Sequence, residues 1–160
     1  MNAQPDHAAL TTLVNRFFRS LDERRIDEEW ARTYLTDDVR TVTPIGTTEG
    51  AAATVRHTAT ALGRFARTQH VATGVLVDGD PATGHATVSW NAVMTHVHHD
   101  ATLRQRGAGA TPLFTVGAHY ETDVVRTPAG WRFHEMRIEP VWTTGEPPVL
   151  PEEAHGRTEA

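Results

Sequence analysis

Between Ala86 and His96 the chain alternates as a half-buried strand must. Ala86, Val88, Trp90, Ala92, Met94 and His96 hold the even positions, and His85, Thr87, Ser89 and Asn91 the odd ones. Side chains on a strand point alternately to its two faces, so this run calls for a sheet with one face against an apolar interior. His96 falls on that apolar face. An imidazole titrates near neutrality, and one that borders a cavity can exchange protons with a bound molecule.

The elements around this strand follow from spacing. Leu10, Leu13, Val14, Phe17, Phe18 and Leu21 recur at steps of three and four, which predicts an amphipathic helix capped by Asp6, with Asp22 at the edge of its apolar stripe. Asp27 is placed to cap a second, short helix carrying Trp30 and Tyr34 and ending near Thr36, Asp37 and Asp38. A strand over Val39–Thr43 stops at Pro44, and 46–50 reads as a loop. Val55, Ala59, Leu62 and then Phe65 or Ala66 mark the inward side of a third helix, which delivers the chain to His70. Beyond it, Val71, Thr73, Val75 and Val77 alternate with His70, Ala72, Gly74 and Leu76, so the small residues beside His70 leave room on its face.

The remainder reads as returning strands. Asp100–Thr111 is expected to be a mobile glycine-containing loop with Arg104 and Arg106. Phe114, Val116, Ala118, Tyr120 and Val124 define one strand face, and Trp131–Glu139 comes back after a turn at residues 127–130. Helices first and a curved antiparallel sheet afterwards make an α+β cone, with three N-terminal helices closing one side over a pocket. The domain is expected to span residues 1–144. Residues 145–160, rich in Pro, Glu and Gly, form a tail that is either disordered or a flap over the pocket.

Composition removes several kinds of chemistry. All 15 basic residues are arginine, so Schiff-base lysine chemistry is absent, and the lack of cysteine excludes thiol nucleophiles, disulfides and cysteine zinc sites. Ser20 and Ser89 are the two serines, and neither sits in a Gly-x-Ser-x-Gly turn. The net charge of −5, without a basic stripe, argues against nucleic acid as a partner. No apolar run suits a signal peptide or a membrane span, so the cytoplasm is the expected compartment. What remains is ten histidines with abundant carboxylates, the material of acid–base chemistry.

Leu21-Asp22 followed by Trp30, the run Arg67-Thr68-Gln69-His70, then His96, the phrase Gly130-Trp131-Arg132-Phe133, and Trp142 together resemble a known pattern. Over about residues 8–144 they are similar to the cone-shaped nuclear transport factor 2-like superfamily, in its SnoaL-like and scytalone dehydratase-like branch. The resemblance implies catalytic roles for Asp22, His70 and His96. Asp22 would orient His70, His70 would take a proton from carbon beside a carbonyl, and His96 would serve as acid or oxyanion donor. Tyr120 would help position the ligand, with Phe17, Trp90, Met94 and Phe114 as walls. The tyrosines with which scytalone dehydratases hold their substrate fall near Leu21 and Thr43 here, and the family asparagine falls near Tyr120, which implies a different substrate.

The expected activity is that of a dehydratase, cyclase or isomerase working without cofactor or metal on an apolar, oxygenated, polyketide- or terpenoid-like molecule. A homodimer or homotrimer is the expected assembly. Two other readings stand beside this one. A non-catalytic carrier of the same fold would bind a small molecule in the same pocket. A metal centre could use His96-Val97-His98, which places two imidazoles on one strand face roughly 6–7 Å apart, together with His99 and Asp100.

Overall fold

The helix α1, Gln4–Glu23, buries Leu10, Val14, Phe17, Phe18 and Leu21 along one stripe, as the spacing requires. The computed structural model describes residues 4–149. Asp6 lies inside the first turn of α1 rather than at its cap, where it pairs with Arg126 at 2.7 Å. The helix ends at Arg24, whose φ of 61° is unusual for a residue with a side chain. Asp27 caps α2, Glu28–Tyr34, by accepting a hydrogen bond from the Trp30 amide at 2.9 Å. Gly50 opens α3, Ala51–Gly63, from a φ of 88° that favours glycine.

The sheet has six strands: β1 Leu35–Thr43, β2 Gly46–Glu49, β3 Arg67–Asp78, β4 His85–Val97, β5 Leu113–Thr127 and β6 Gly130–Gly145. Their order is β2-β1-β6-β5-β4-β3. The expected fully antiparallel sheet is corrected here, because β1 runs parallel to β6. Four strands and the helices between them separate the two in sequence, and the spacing of apolar residues carries no information on the direction in which distant strands pair. The segment read as a loop after Pro44 is β2, which pairs with β1 in the register Arg40↔Glu49. The second expected loop holds a short helix, α4, Asp100–Arg106. The returning strand runs six residues past its expected end at Glu139, to Gly145.

The face pattern expected for β3 also fails halfway. Thr68, His70 and Ala72 point inward, but beyond Gly74 the inward residues are Val75 and Val77, and Leu76 is 61% exposed. Between Thr73 and Leu76 one extra residue of β3 is accommodated against β4, and Gly74 takes a φ of 64°. This is a β-bulge, and it moves all later side chains to the opposite face. Two further irregularities on β6, opposite Gly117/Ala118 and Asp123/Val124, bend the sheet around α1. The core lies between α1 and the concave face, where Phe18 packs edge-on against Trp90 and Tyr120, and Phe17 against Phe133. Among the described residues no helix is long and apolar enough to cross a membrane.

Candidate active site

A cavity of about 370 Å³ opens between α1, α3 and the concave face of the sheet. Its walls are mostly apolar, with Phe17, Leu21, Met94, Phe114, Val116 and Met136 among them. The imidazoles of His70 and His96 also face it. The strand register explains why. Thr68 lies opposite His96 and His70 opposite Met94, so the two histidines are diagonal neighbours on one face of adjacent strands. Their ring centroids are 6.0 Å apart with the planes at 79°.

His70 is held by the carboxylate of Asp22 at the end of α1. Asp22 Oδ1 accepts from His70 Nδ1 at 2.6 Å and from the Thr68 hydroxyl at 2.9 Å, and Oδ2 accepts from the His70 amide at 3.0 Å. β3 is an edge strand, and Asp22 caps one of its free amides. Burial works to raise the Asp22 pKa, but the hydrogen bonds from His70 and Thr68 outweigh it and hold the carboxyl below its ordinary value. An ionised Asp22 fixes the Nδ1–H tautomer of His70 and leaves Nε2 as the nitrogen available to the cavity. Asp22 itself does not line the cavity. It borders a groove on the outer side with Asn15, Arg19 and Glu23 and holds His70 from behind the cavity wall.

His96 is differently set. Its Nδ1 donates to the Phe114 carbonyl at 3.0 Å, and its ring packs against Phe65 at a tilt of 38° with centroids 4.5 Å apart. Burial pulls its pKa down; the Phe114 bond works the other way, and His70, His98 and Arg24 add repulsion, so the result is about 4. At neutral pH His96 is therefore uncharged, with Nε2 as a bare acceptor. The carbonyl partner commits the ring proton of the neutral imidazole to Nδ1.

The other expected residues divide. Tyr120, Met94, Phe17 and Phe114 line the cavity, and the Tyr120 hydroxyl donates to Met94 Sδ at 3.3 Å while burial pushes its pKa up. Trp90 does not. It is 1% exposed and stacked behind Tyr120 at 4.8 Å, so it is core and not cavity wall. His98 is sealed among Phe65 and the residues after β6, with Nε2 donating to the Glu146 carbonyl at 2.7 Å. His99 bonds the Gly63 carbonyl at 3.1 Å instead of joining it. Among the described residues no group of three histidine or carboxylate side chains is arranged to hold a metal.

Two features escaped the sequence. Arg24, turned inward by its left-handed backbone, donates from Nη1 to the Phe65 carbonyl at 2.7 Å, with Nε and Nη2 buried and unpartnered beside the Asp22–His70 pair. His57 and Arg64, both on the α3 side, line the cavity. Residues following β6 also reach it. Pro147 and Pro148 lie on its wall, and Arg106 of α4 holds them there, Nη2 donating to the Pro147 carbonyl at 2.6 Å and Nη1 pairing with Glu146 at 3.0 Å. Residues 150–160, the rest of the expected tail, lie outside the described residues.

The fold has many relatives of known structure. The Kfla4162 protein from Kribbella flavida superposes with a TM-score of 0.77 at 20% identity, covering 89% of this chain and 95% of that one. A candidate scytalone dehydratase from Novosphingobium aromaticivorans gives 0.74 at 17% identity over 91% and 90% of the two chains. Hexachlorocyclohexane dehydrochlorinase LinA-type3 from Novosphingobium barchaimii gives 0.71 at 16% identity over 92% and 95%. No curated protein sequence matches the chain. The SnoaL-like domain model matches residues 3–137. With α1 laid across a curved mixed sheet and the cavity between them, the protein has the α+β cone fold of the nuclear transport factor 2-like superfamily, and the chain belongs to the SnoaL-like domain family.

Proposed function

We propose that the protein is an acid–base lyase or isomerase that moves a proton on carbon next to a carbonyl of an apolar, oxygenated small molecule of polyketide- or terpenoid-like character. The observation that carries this reading is the pair of imidazoles on one apolar cavity, each with Nδ1 committed to protein and Nε2 without a partner among the described residues. Two solved relatives are named as a dehydratase and a dehydrochlorinase, and both names describe eliminations.

The geometry suggests a division of labour. His70 Nε2 takes the proton, and the imidazolium so formed is stabilised by Asp22. His96 Nε2 accepts a hydrogen bond from the substrate hydroxyl, turning that oxygen's lone pair toward the newly protonated His70. In dehydration His70 then gives the same proton to the departing hydroxyl, the carbon–oxygen bond breaks, the alkene forms and water leaves. In isomerisation or ring closure the proton returns to a different carbon or to oxygen, and the base is regenerated either way. Such a carrier contributes roughly 10²–10⁴ in rate.

Deuterium wash-in tests this without the natural substrate. Bicyclic and tricyclic ketones such as 2-tetralone are incubated with the protein in heavy water and exchange at the carbon beside the carbonyl is followed by NMR. The expected result is acceleration by the native protein and its loss in His70→Asn. A panel in which ketones bind without accelerated exchange would identify a carrier instead of an enzyme.

A further inference from the structure

Four arginines of the described chain are half-buried: Arg24, Arg64, Arg106 and Arg132. Three of them have hydrogen-bond partners within the protein, namely the Phe65 carbonyl for Arg24, Glu146 and the Pro147 carbonyl for Arg106, and the Arg32 and Trp131 carbonyls for Arg132. Among the described residues Arg64 alone has none, and it is the one that lines the cavity. A guanidinium carries five donors and stays charged, so a half-buried one without an acceptor is an open valence for an anion.

The composition of the cavity wall points the same way. It contains Arg64 and the imidazoles of His57, His70 and His96, but among the described residues no aspartate or glutamate. His57 precedes Arg64 by two helical turns on the same side of α3 and likewise makes no hydrogen bond within the described protein. The position at the C-cap of α3 explains why a cation is tolerated there, since the helix dipole is negative at that end, but it supplies no hydrogen-bond partner for the side chain. The whole chain carries a net charge of −5, so general electrostatics repel anions and the cavity is a local exception.

We propose that Arg64 binds a carboxylate on the substrate, which makes the ligand class an apolar ring system bearing an acid group, held by that group while its carbonyl-flanked carbon meets His70. The inference rests on the cavity being the ligand site, as in the proposed function, but it does not depend on catalysis.

The probes are anthracene-9-carboxylate and anthracene-9-carboxamide, which share shape and differ in charge, with affinities measured by fluorescence and calorimetry. The native protein is expected to bind the carboxylate roughly tenfold more tightly than the amide, the worth of one charge-assisted hydrogen bond. Arg64→Gln should remove that preference by weakening the carboxylate and leave the amide unchanged; Arg64→Lys should keep part of it. Equal affinities in the native protein would overturn the proposal. So would a failure of the carboxylate to bind, or an Arg64→Gln effect that is absent or equal for both probes. His70→Ala is expected to retain the preference, which separates a failure of the acid–base reading from a failure of this one.

Discussion

Asp22 and His70, 48 positions apart in the sequence, are joined twice, once through the ring Nδ1 at 2.6 Å and once through the backbone amide at 3.0 Å. The carboxylate therefore fixes both the strand that carries the imidazole and the tautomer of the imidazole itself. Each of its oxygens faces at least one donor. In Asp22→Asn the amide NH2 must oppose one of those donors, whichever way it is turned. The expected outcome is a fall of roughly 10²–10⁴ in ketone exchange, with the affinity for anthracene-9-carboxamide unchanged. Undiminished exchange in this variant would remove Asp22 from the proposed mechanism.

His96 makes stability depend on pH. Its folded pKa of about 4 lies below the ordinary histidine value of 6.5, so between those values the unfolded chain binds the proton that the folded one refuses. Stability is then complete above the unfolded pKa and declines as the pH falls through the window toward 4. Lowering the pH from 7 to 5 is expected to cost roughly 2 kcal/mol through this one group. Urea unfolding at the two pH values checks it. His96→Phe should flatten the dependence, and a native protein equally stable at both would contradict the neutral assignment.

Arg106 tethers the segment after β6 against the cavity wall by two contacts, at 2.6 Å and 3.0 Å. Arg106→Met should release Pro147 and Pro148 without disturbing the sheet. The expected result is a several-fold faster dissociation of a bound anthracene probe in stopped-flow, with the urea midpoint nearly unchanged. An unaltered dissociation rate would mean that the segment does not govern exit.

Gly117 carries Trp142 directly above it: a Cβ at that position would lie 2.2 Å from the indole. Gly117→Ala must displace the ring, which is already 47% exposed and has somewhere to go. A loss of about 1–3 kcal/mol is expected, with a red shift in tryptophan emission, and Trp142→Ala in the same chain should recover most of the stability. Failure of the double variant to recover would place the cost in the strand backbone.

What could be read in advance was what depends on short-range periodicity. The stripe of α1, the alternation of β4 and the arrival of His70 at the start of β3 each occupy one continuous stretch. Trp90 shows where this stops. It shares a face with Met94 and His96, and only the position of Phe18 on a distant helix decides that it is packed over while they are left open. β2 and α4 are too short for a period to register, with 4 and 7 residues. The bulge at Gly74 left a glycine in an alternating run as its one mark, and Arg24 left none, because nothing local announces a left-handed backbone at a residue with a long side chain. Arg64 resembled any helix-terminal cation until its missing acceptor could be seen beside three half-buried arginines that each have at least one.

The change of sides within β3 has an evolutionary corollary. Upstream of Gly74 the strand brings His70 to the cavity; downstream it gives Val75 and Val77 to the core. A lineage could lengthen, shorten or rewrite the far stretch to suit another interior filling, with the dyad left in place. New chemistry and new architecture can thus be explored along one ribbon without each undoing the other.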